Sequence, residues 1–115
     1  MTKEGLWLSL LYAILEGSSQ VLGIRRQDLD GCLYPCEEGL ALVFFDSVLG
    51  GAGHVKRLMD RQSLYEVLRS AKERVEKCAC GPETSCYGCL RSYQNQFCHE
   101  QLKRSIVLEF LSKNL

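Results

Sequence analysis

The sequence has no net charge and little that would distinguish it from an ordinary globular chain. Its 115 residues carry 14 basic and 14 acidic side chains, and hydrophobic residues make up 46%. This composition excludes a disordered, collagen-like or coiled-coil protein. The balanced charge argues against a protein whose main task is to grip phosphate backbones, but it leaves room for a local basic patch.

The sequence also lacks a long apolar run. The apolar segment 6–14 lies between Glu4 and Glu16 and is too short to cross a bilayer. We therefore expect an intracellular, cytoplasmic protein with no membrane partner. The length suits a single domain over residues 1–115 with one modest core.

Apolar periodicity predicts an α+β domain, in which a small hairpin or sheet packs with amphipathic helices. Residues 6–22 carry apolar side chains at helical spacing, and Gly23 supplies a C-terminal stop. Two strands are expected at 28–34 and 40–45 with a turn over 35–39, and the continuous apolar run 40–45 predicts burial on both strand faces. Further helices are expected from Val55, over 63–75 with Ser63 as the cap, and over 102–111.

Cysteine is the abundant residue that needs an explanation. Five of the seven cysteines lie between residues 78 and 98, where a C-x-C pair is followed by a C-x-x-C pair. Two close thiolate pairs joined by a turn can supply the four tetrahedral ligands of zinc with little loss of chain entropy. The spacing therefore predicts a cysteine-rich zinc loop within segment 78–99, with Cys78, Cys80, Cys86 and Cys89 as the metal ligands.

The remaining thiols leave alternatives open. Cys98 is the alternative to Cys78 as the fourth zinc ligand, whereas His99 is expected to hold the adjoining turn through a hydrogen bond. A redox dithiol also uses C-x-x-C spacing, but it needs a preceding strand and a helix dipole that the pattern here does not predict. Cys32 and Cys36 are expected to be buried free cysteines rather than half of a second metal site.

A glycine-rich loop, residues 50–53, joins the second strand to the next helix. It matches neither G-x-G-x-x-G nor the P-loop, so we expect a tight structural turn rather than a phosphate site. Asp46 and His54 flank this loop and are the candidates for an acid/base pair. A lone Asp at a strand end is more often a turn or cap residue, so we expect no catalytic residues and no bound cofactor other than zinc.

Three stretches, together with His99, resemble the MrfA-type zinc-binding domain, which is domain-of-unknown-function family nineteen ninety-eight. The stretches are DGCLYP from Asp30, FDSVLGGAG from Phe45 and TSCYGCLRSYQNQ from Thr84. Members usually lie at the C-terminus of superfamily-two DEAD/DEAH-box helicases, including MrfA and Hrq-type repair helicases, and in DrmB of the DISARM phage-defence system. In the family, the cysteines that match the two close pairs form the metal cluster, and the position that matches Cys98 varies.

The resemblance implies a non-catalytic zinc domain that is an accessory of a DNA or RNA helicase in repair or phage defence. Its partner would be a helicase core in cis or in trans, and nucleic acid would be reached indirectly through that helicase. The sequence itself has no Walker A motif and no DEAH box. The alternative is a small metal- or thiol-dependent enzyme, a nuclease or a redox factor, built on Asp46, His54 and the cysteines.

Overall fold

Over the part of the chain that the structure describes, the fold joins a two-stranded hairpin to four helices and a cysteine-rich loop, as expected for an α+β domain. The computed structural model describes residues 3–37, 39–47, 53–81 and 84–115. Helix α1 spans Lys3–Leu22, strands β1 and β2 span Leu29–Cys36 and Gly39–Asp46, and helices α2, α3 and α4 span His54–Leu58, Arg61–Lys77 and Arg104–Asn114. Short 3-10 segments occupy Arg26–Asp28 and Tyr93–Gln101.

Helix α1 is the centre of the core. It packs against α3, α4 and β1, so its apolar stretch from Leu10 to Leu15 is buried on every side. The amphipathic pattern predicted the helix correctly but missed this complete burial, because Ser9 and Ser18 look polar in sequence. Both serines are buried, and each hydroxyl donates a hydrogen bond at 2.7 Å to the carbonyl four residues earlier, at Gly5 and Ile14. Gly23 ends the helix with φ +67°, as predicted.

The hairpin pairs β1 with β2 in antiparallel register, from Leu29 opposite Asp46 to Cys36 opposite Gly39. Because Pro35 and Cys36 belong to β1, the turn is shorter than the predicted 35–39. The inner face packs on α1, whereas Val43 and Phe45 are 38% and 44% exposed on the outer face. The prediction that the second strand is buried on both faces is therefore wrong, because the described parts of the chain cover the sheet on one side only.

The later helices begin at residues other than those predicted. Helix α3 is capped by Asp60, whose carboxylate accepts a hydrogen bond from the Ser63 main-chain N–H at 3.1 Å, so the helix starts at Arg61 rather than at Ser63. Helix α4 starts at Arg104 rather than at Leu102. Of the glycine loop, only Gly53 is described; its φ of +78° confirms a turn position that favours glycine. Residues 50–52 lie outside the described residues.

Candidate metal centre

Four thiols converge where α3 ends. Cys78 follows the last residue of α3, and Cys80 lies two residues further along the irregular segment. Cys86 and Cys89 form the corners of a turn that brings the second pair against the first. The sulfur atoms are 3.4 Å apart for Cys78 and Cys80, 3.4 Å for Cys78 and Cys86, 3.7 Å for Cys80 and Cys89, and 3.9 Å for Cys86 and Cys89.

This arrangement fits a tetrahedral zinc ion. With Zn–S bonds of about 2.3 Å, the edges of a tetrahedron of sulfurs measure roughly 3.8 Å. The four Sγ atoms all lie within 4.8 Å of one another, and the contacts above bracket the tetrahedral edge. A disulfide would instead bring two sulfurs to about 2.0 Å, and none of the described cysteines is so paired. The donor set therefore has the size and chemistry of a zinc site.

The Cys86–Cys89 turn is closed by its own backbone. The carbonyl of Cys86 accepts from the main-chain N–H groups of Cys89, Leu90 and Arg91 at 3.0 to 3.1 Å. Two further N–H groups point at sulfur, because the Cys86 N–H lies 3.3 Å from Cys89 Sγ and the Gly88 N–H lies 3.3 Å from Cys86 Sγ. Such donors stabilise a thiolate over a thiol.

Burial acts against ionisation of the same sulfurs. Desolvation raises the pKa of the Cys89 thiol to about 12 and also raises the pKa of Cys80. The main-chain N–H of Cys80 lowers the pKa of Cys78 to about 7. Four thiolates held this close together repel one another, so a divalent cation at their centre is the partner that would let all four ionise.

Two arginines anchor the cysteine pairs from outside. The Nε atom of Arg74 donates to the Cys89 carbonyl at 2.9 Å, and the Nη2 atom of Arg104 donates to the Cys80 carbonyl at 2.8 Å. Neither arginine stands out in the sequence as part of the site. Arg104 stands 24 positions from Cys80, and no local spacing rule connects a helix N-terminal arginine to a distant carbonyl.

The competing ligands lie elsewhere. Cys98 is buried outside the four-sulfur group, and its thiol donates to the Asn95 carbonyl at 3.5 Å. The Nε2 atom of His99 lies 2.9 Å from the Ser92 carbonyl and 2.8 Å from Asn95 Oδ1, so it donates to oxygen acceptors that hold the turn, as predicted. Cys32 and Cys36 are exposed on the hairpin, and the prediction that they are buried is wrong because no described segment covers that face.

The proposed acid/base pair has a structural role. One carboxylate oxygen of Asp46 accepts a hydrogen bond from the main-chain N–H of His54 at 3.0 Å, so the carboxylate caps the start of α2. The contact runs through the His54 backbone and not through its ring. This confirms the expectation that Asp46 is a cap residue.

Sequence comparison identifies the family. The profile of the MrfA Zn-binding domain matches residues 10–90, which is most of the chain. The chain belongs to this family. No curated protein sequence matches it. A crystal structure of the DUF1998 helicase MrfA bound to DNA has a similar fold, with a TM-score of 0.67 and 18% identity over the whole of this chain. The chain spans only 15% of the length of that helicase chain.

Membership of this family and the four clustered cysteines together establish a zinc-binding domain with the α+β architecture expected from the sequence. Among the helices of the described ranges, none is long and apolar enough to cross a membrane.

Proposed function

We propose that residues 1–115 form one non-catalytic domain that uses a structural zinc ion, bound by Cys78, Cys80, Cys86 and Cys89. The single observation that carries the proposal is the convergence of these four sulfurs at tetrahedral spacing. Zinc would stabilise a segment that has few apolar side chains of its own to bury, because metal binding and local folding are coupled.

Elemental analysis of cysteine variants tests the ligand set. Wild-type protein purified without chelator is expected to hold one zinc per chain, and Cys86→Ala or Cys89→Ala should lose it, because three ligands leave an open position. Cys36→Ala, which removes an exposed thiol on the hairpin, is the matched control and should keep the ion. Cys98→Ala should also keep it. Loss of zinc from Cys98→Ala with retention in Cys78→Ala would show that Cys98, and not Cys78, is the fourth ligand. A wild-type protein without zinc would contradict the proposed site.

We further propose that the domain is an accessory of a DNA or RNA helicase, present in the same polypeptide or in a partner protein. The family and the shared fold with a DNA-bound helicase support this role. Nucleic acid would be reached through the motor, in the cytoplasm, during repair or phage defence. The side chain of Asp46 already serves as a helix cap, which weighs against the alternative of an enzyme built on Asp46, His54 and the thiols.

Affinity purification tests the helicase association. A tagged chain in its native host is expected to retain a superfamily-two helicase, or to be found as part of one. Where the helicase is a separate protein, the Cys86→Ala variant should lose it, whereas Cys36→Ala should keep it, and mass spectrometry identifies the retained proteins. A zinc-loaded wild-type chain that neither forms part of a helicase nor retains one would contradict the proposal.

A further inference from the structure

Each of the two cysteine pairs has one carbonyl held by an arginine from a helix. Arg74 comes from α3 and contacts the second pair at Cys89, and Arg104 comes from the first turn of α4 and contacts the first pair at Cys80. The second Nη atom of Arg104 donates to the Val75 carbonyl at 2.8 Å, so one guanidinium bridges the end of α3 and the loop that follows it. Cys80 and Cys89 are themselves neighbours, with sulfurs 3.7 Å apart.

We propose that Arg74 and Arg104 are positioning residues for zinc: they fix the two cysteine pairs relative to each other and offset the charge of the metal–thiolate group. The inference rests on the proposed zinc site. It goes beyond that site because neither arginine touches a sulfur atom in any described contact. Mutation of groups that hold metal ligands in place typically costs about 10- to 100-fold in metal affinity.

Charge supports this role. A zinc ion with four thiolates carries a net charge of about −2, and the two guanidinium groups supply two permanent positive charges beside it. Cys89 is fully buried, so opposite charges near it are weakly screened and interact strongly. The arginines donate to carbonyl oxygens rather than to sulfur, which leaves the sulfur lone pairs for the metal.

The Arg74 side chain is in turn held by the central helix. Its Nη2 atom lies 3.6 Å from a carboxylate oxygen of Glu16, and the other oxygen of that carboxylate lies 3.4 Å from Nε of Arg26. Glu16 is largely buried, so its position is set by the packing of α1. The main-chain N–H of Arg104 likewise donates to the Thr84 carbonyl at 2.9 Å. Both arginines therefore have fixed geometry, which a positioning residue requires.

Zinc affinity in arginine variants tests the inference. Arg104→Met and Arg74→Met keep much of the apolar stem but lose the guanidinium, and each should weaken zinc binding about 10- to 100-fold in competition with a chelator of known affinity. Lys113→Met on α4 and Arg69→Met on α3 remove exposed positive charges from the same helices and should bind zinc as wild type does. The absorption spectrum of the Co²⁺-substituted proteins reports the tetrahedral thiolate geometry independently of affinity, and it should change in the two test variants only.

The conservative variant Arg104→Lys distinguishes the effect of the positive charge on zinc affinity from the effect of the hydrogen-bond geometry. It also replaces Arg104→Met as the test variant if Arg104→Met does not fold. Lysine keeps the positive charge but cannot reach both carbonyls in the same fork, so the zinc affinity of Arg104→Lys should lie between those of Arg104→Met and wild type. Wild-type affinity and an unchanged Co²⁺ spectrum in Arg74→Met and in either Arg104 variant would overturn the inference while leaving the zinc site intact. Absence of zinc and Co²⁺ binding in the wild type would instead overturn the proposed function.

Discussion

The carboxylate of Asp46, at the end of β2, accepts a hydrogen bond from the main-chain N–H of His54 at 3.0 Å. The contact ties the hairpin to the first turn of α2 across the glycine loop. Gly53, which precedes His54, has a left-handed φ of +78° and has no side chain to cap the helix. Asp46 therefore supplies from a distance the acceptor that a local cap residue usually provides.

Removal of this acceptor should destabilise the fold. Asp46→Ala is expected to lower the free energy of unfolding by about 0.5–2 kcal/mol, the usual cost of losing a cap. Asp46→Asn keeps an oxygen acceptor, so its free energy of unfolding should fall clearly less than that of Asp46→Ala. Urea denaturation of the zinc-loaded proteins measures both. Equal losses in the Ala and Asn variants would show that the carboxylate charge, and not the hydrogen bond, matters.

Several elements of the fold and of the site could be predicted from the sequence because each depends on residues that are close together in the chain. The long apolar helix, the hairpin and the two cysteine pairs all have short-range signatures, and Gly23 ends α1 as its position predicts. The predicted start of a helix was less accurate where two nearby residues could each act as its N-cap. Asp60 and Ser63 are both good cap residues three positions apart, and the structure uses Asp60.

The long-range contacts could not be read from local pattern. Burial of α1 on every side from Leu10 to Leu15 depends on which elements surround it, and the exposure of Cys32 and Phe45 depends on the absence of a second layer over the hairpin within the described residues. Arg74 and Arg104 look like solvated helix charges in sequence. Their contacts with cysteine carbonyls appear only when α3, α4 and the loop are brought together.

Helices α1 and α3 approach closely at Gly17. A Cβ atom at this position would lie 2.7 Å from the Val67 carbonyl oxygen and 3.2 Å from the Ala71 nitrogen. Gly17→Ala should therefore lower the free energy of unfolding by about 1–3 kcal/mol through overpacking, although alanine has the better helix propensity by about 1 kcal/mol. Gln20→Ala, an exposed position one turn later, should have little effect in the same thermal or urea unfolding experiment. A stabilised Gly17→Ala variant would contradict the close approach.

The Tyr12 hydroxyl should make stability depend on pH at the alkaline end. Burial raises the pKa of Tyr12 to about 12 from 10.0, with smaller contributions from Cys98 and Asp30. Because the folded pKa lies above the unfolded one, the contribution is fully present below pH 10 and is lost as the pH rises towards 12. Stability should fall in that window by about 1.4 kcal/mol per pH unit from this group.

Tyr12→Phe isolates this contribution. Thiols titrate in the same range in every variant, so the measured quantity is the difference in slope between wild type and variant when the free energy of unfolding is followed by urea denaturation from pH 9 to 12. The slope should be shallower in Tyr12→Phe, whereas Tyr87→Phe, at a tyrosine that is 62% exposed, should match wild type. Equal slopes in wild type and Tyr12→Phe would show that Tyr12 ionises without penalty.

The isolated domain should not bind nucleic acid tightly. Its 14 positive charges are matched by 14 negative ones, and several of the basic side chains have internal partners, since Arg74 and Arg104 contact cysteine carbonyls and Arg91 donates to Ser85 Oγ at 2.9 Å. We expect zinc-loaded protein to bind single- or double-stranded oligonucleotides more weakly than about 1 µM at physiological salt. Fluorescence anisotropy with DNA and RNA across a salt series measures this.

The variant Phe97→Ala would locate the binding surface if the domain did bind nucleic acid tightly. The Phe97 side chain is 76% exposed, and proteins that bind single strands stack bases on exposed aromatic rings. Submicromolar affinity with a steep salt dependence in wild type would contradict the prediction. If Phe97→Ala then lost that affinity while keeping its zinc, binding would reside on the surface around Phe97, and the domain would contact nucleic acid directly. Weak binding that is the same in wild type and Phe97→Ala is the outcome that the balanced charge of the domain predicts.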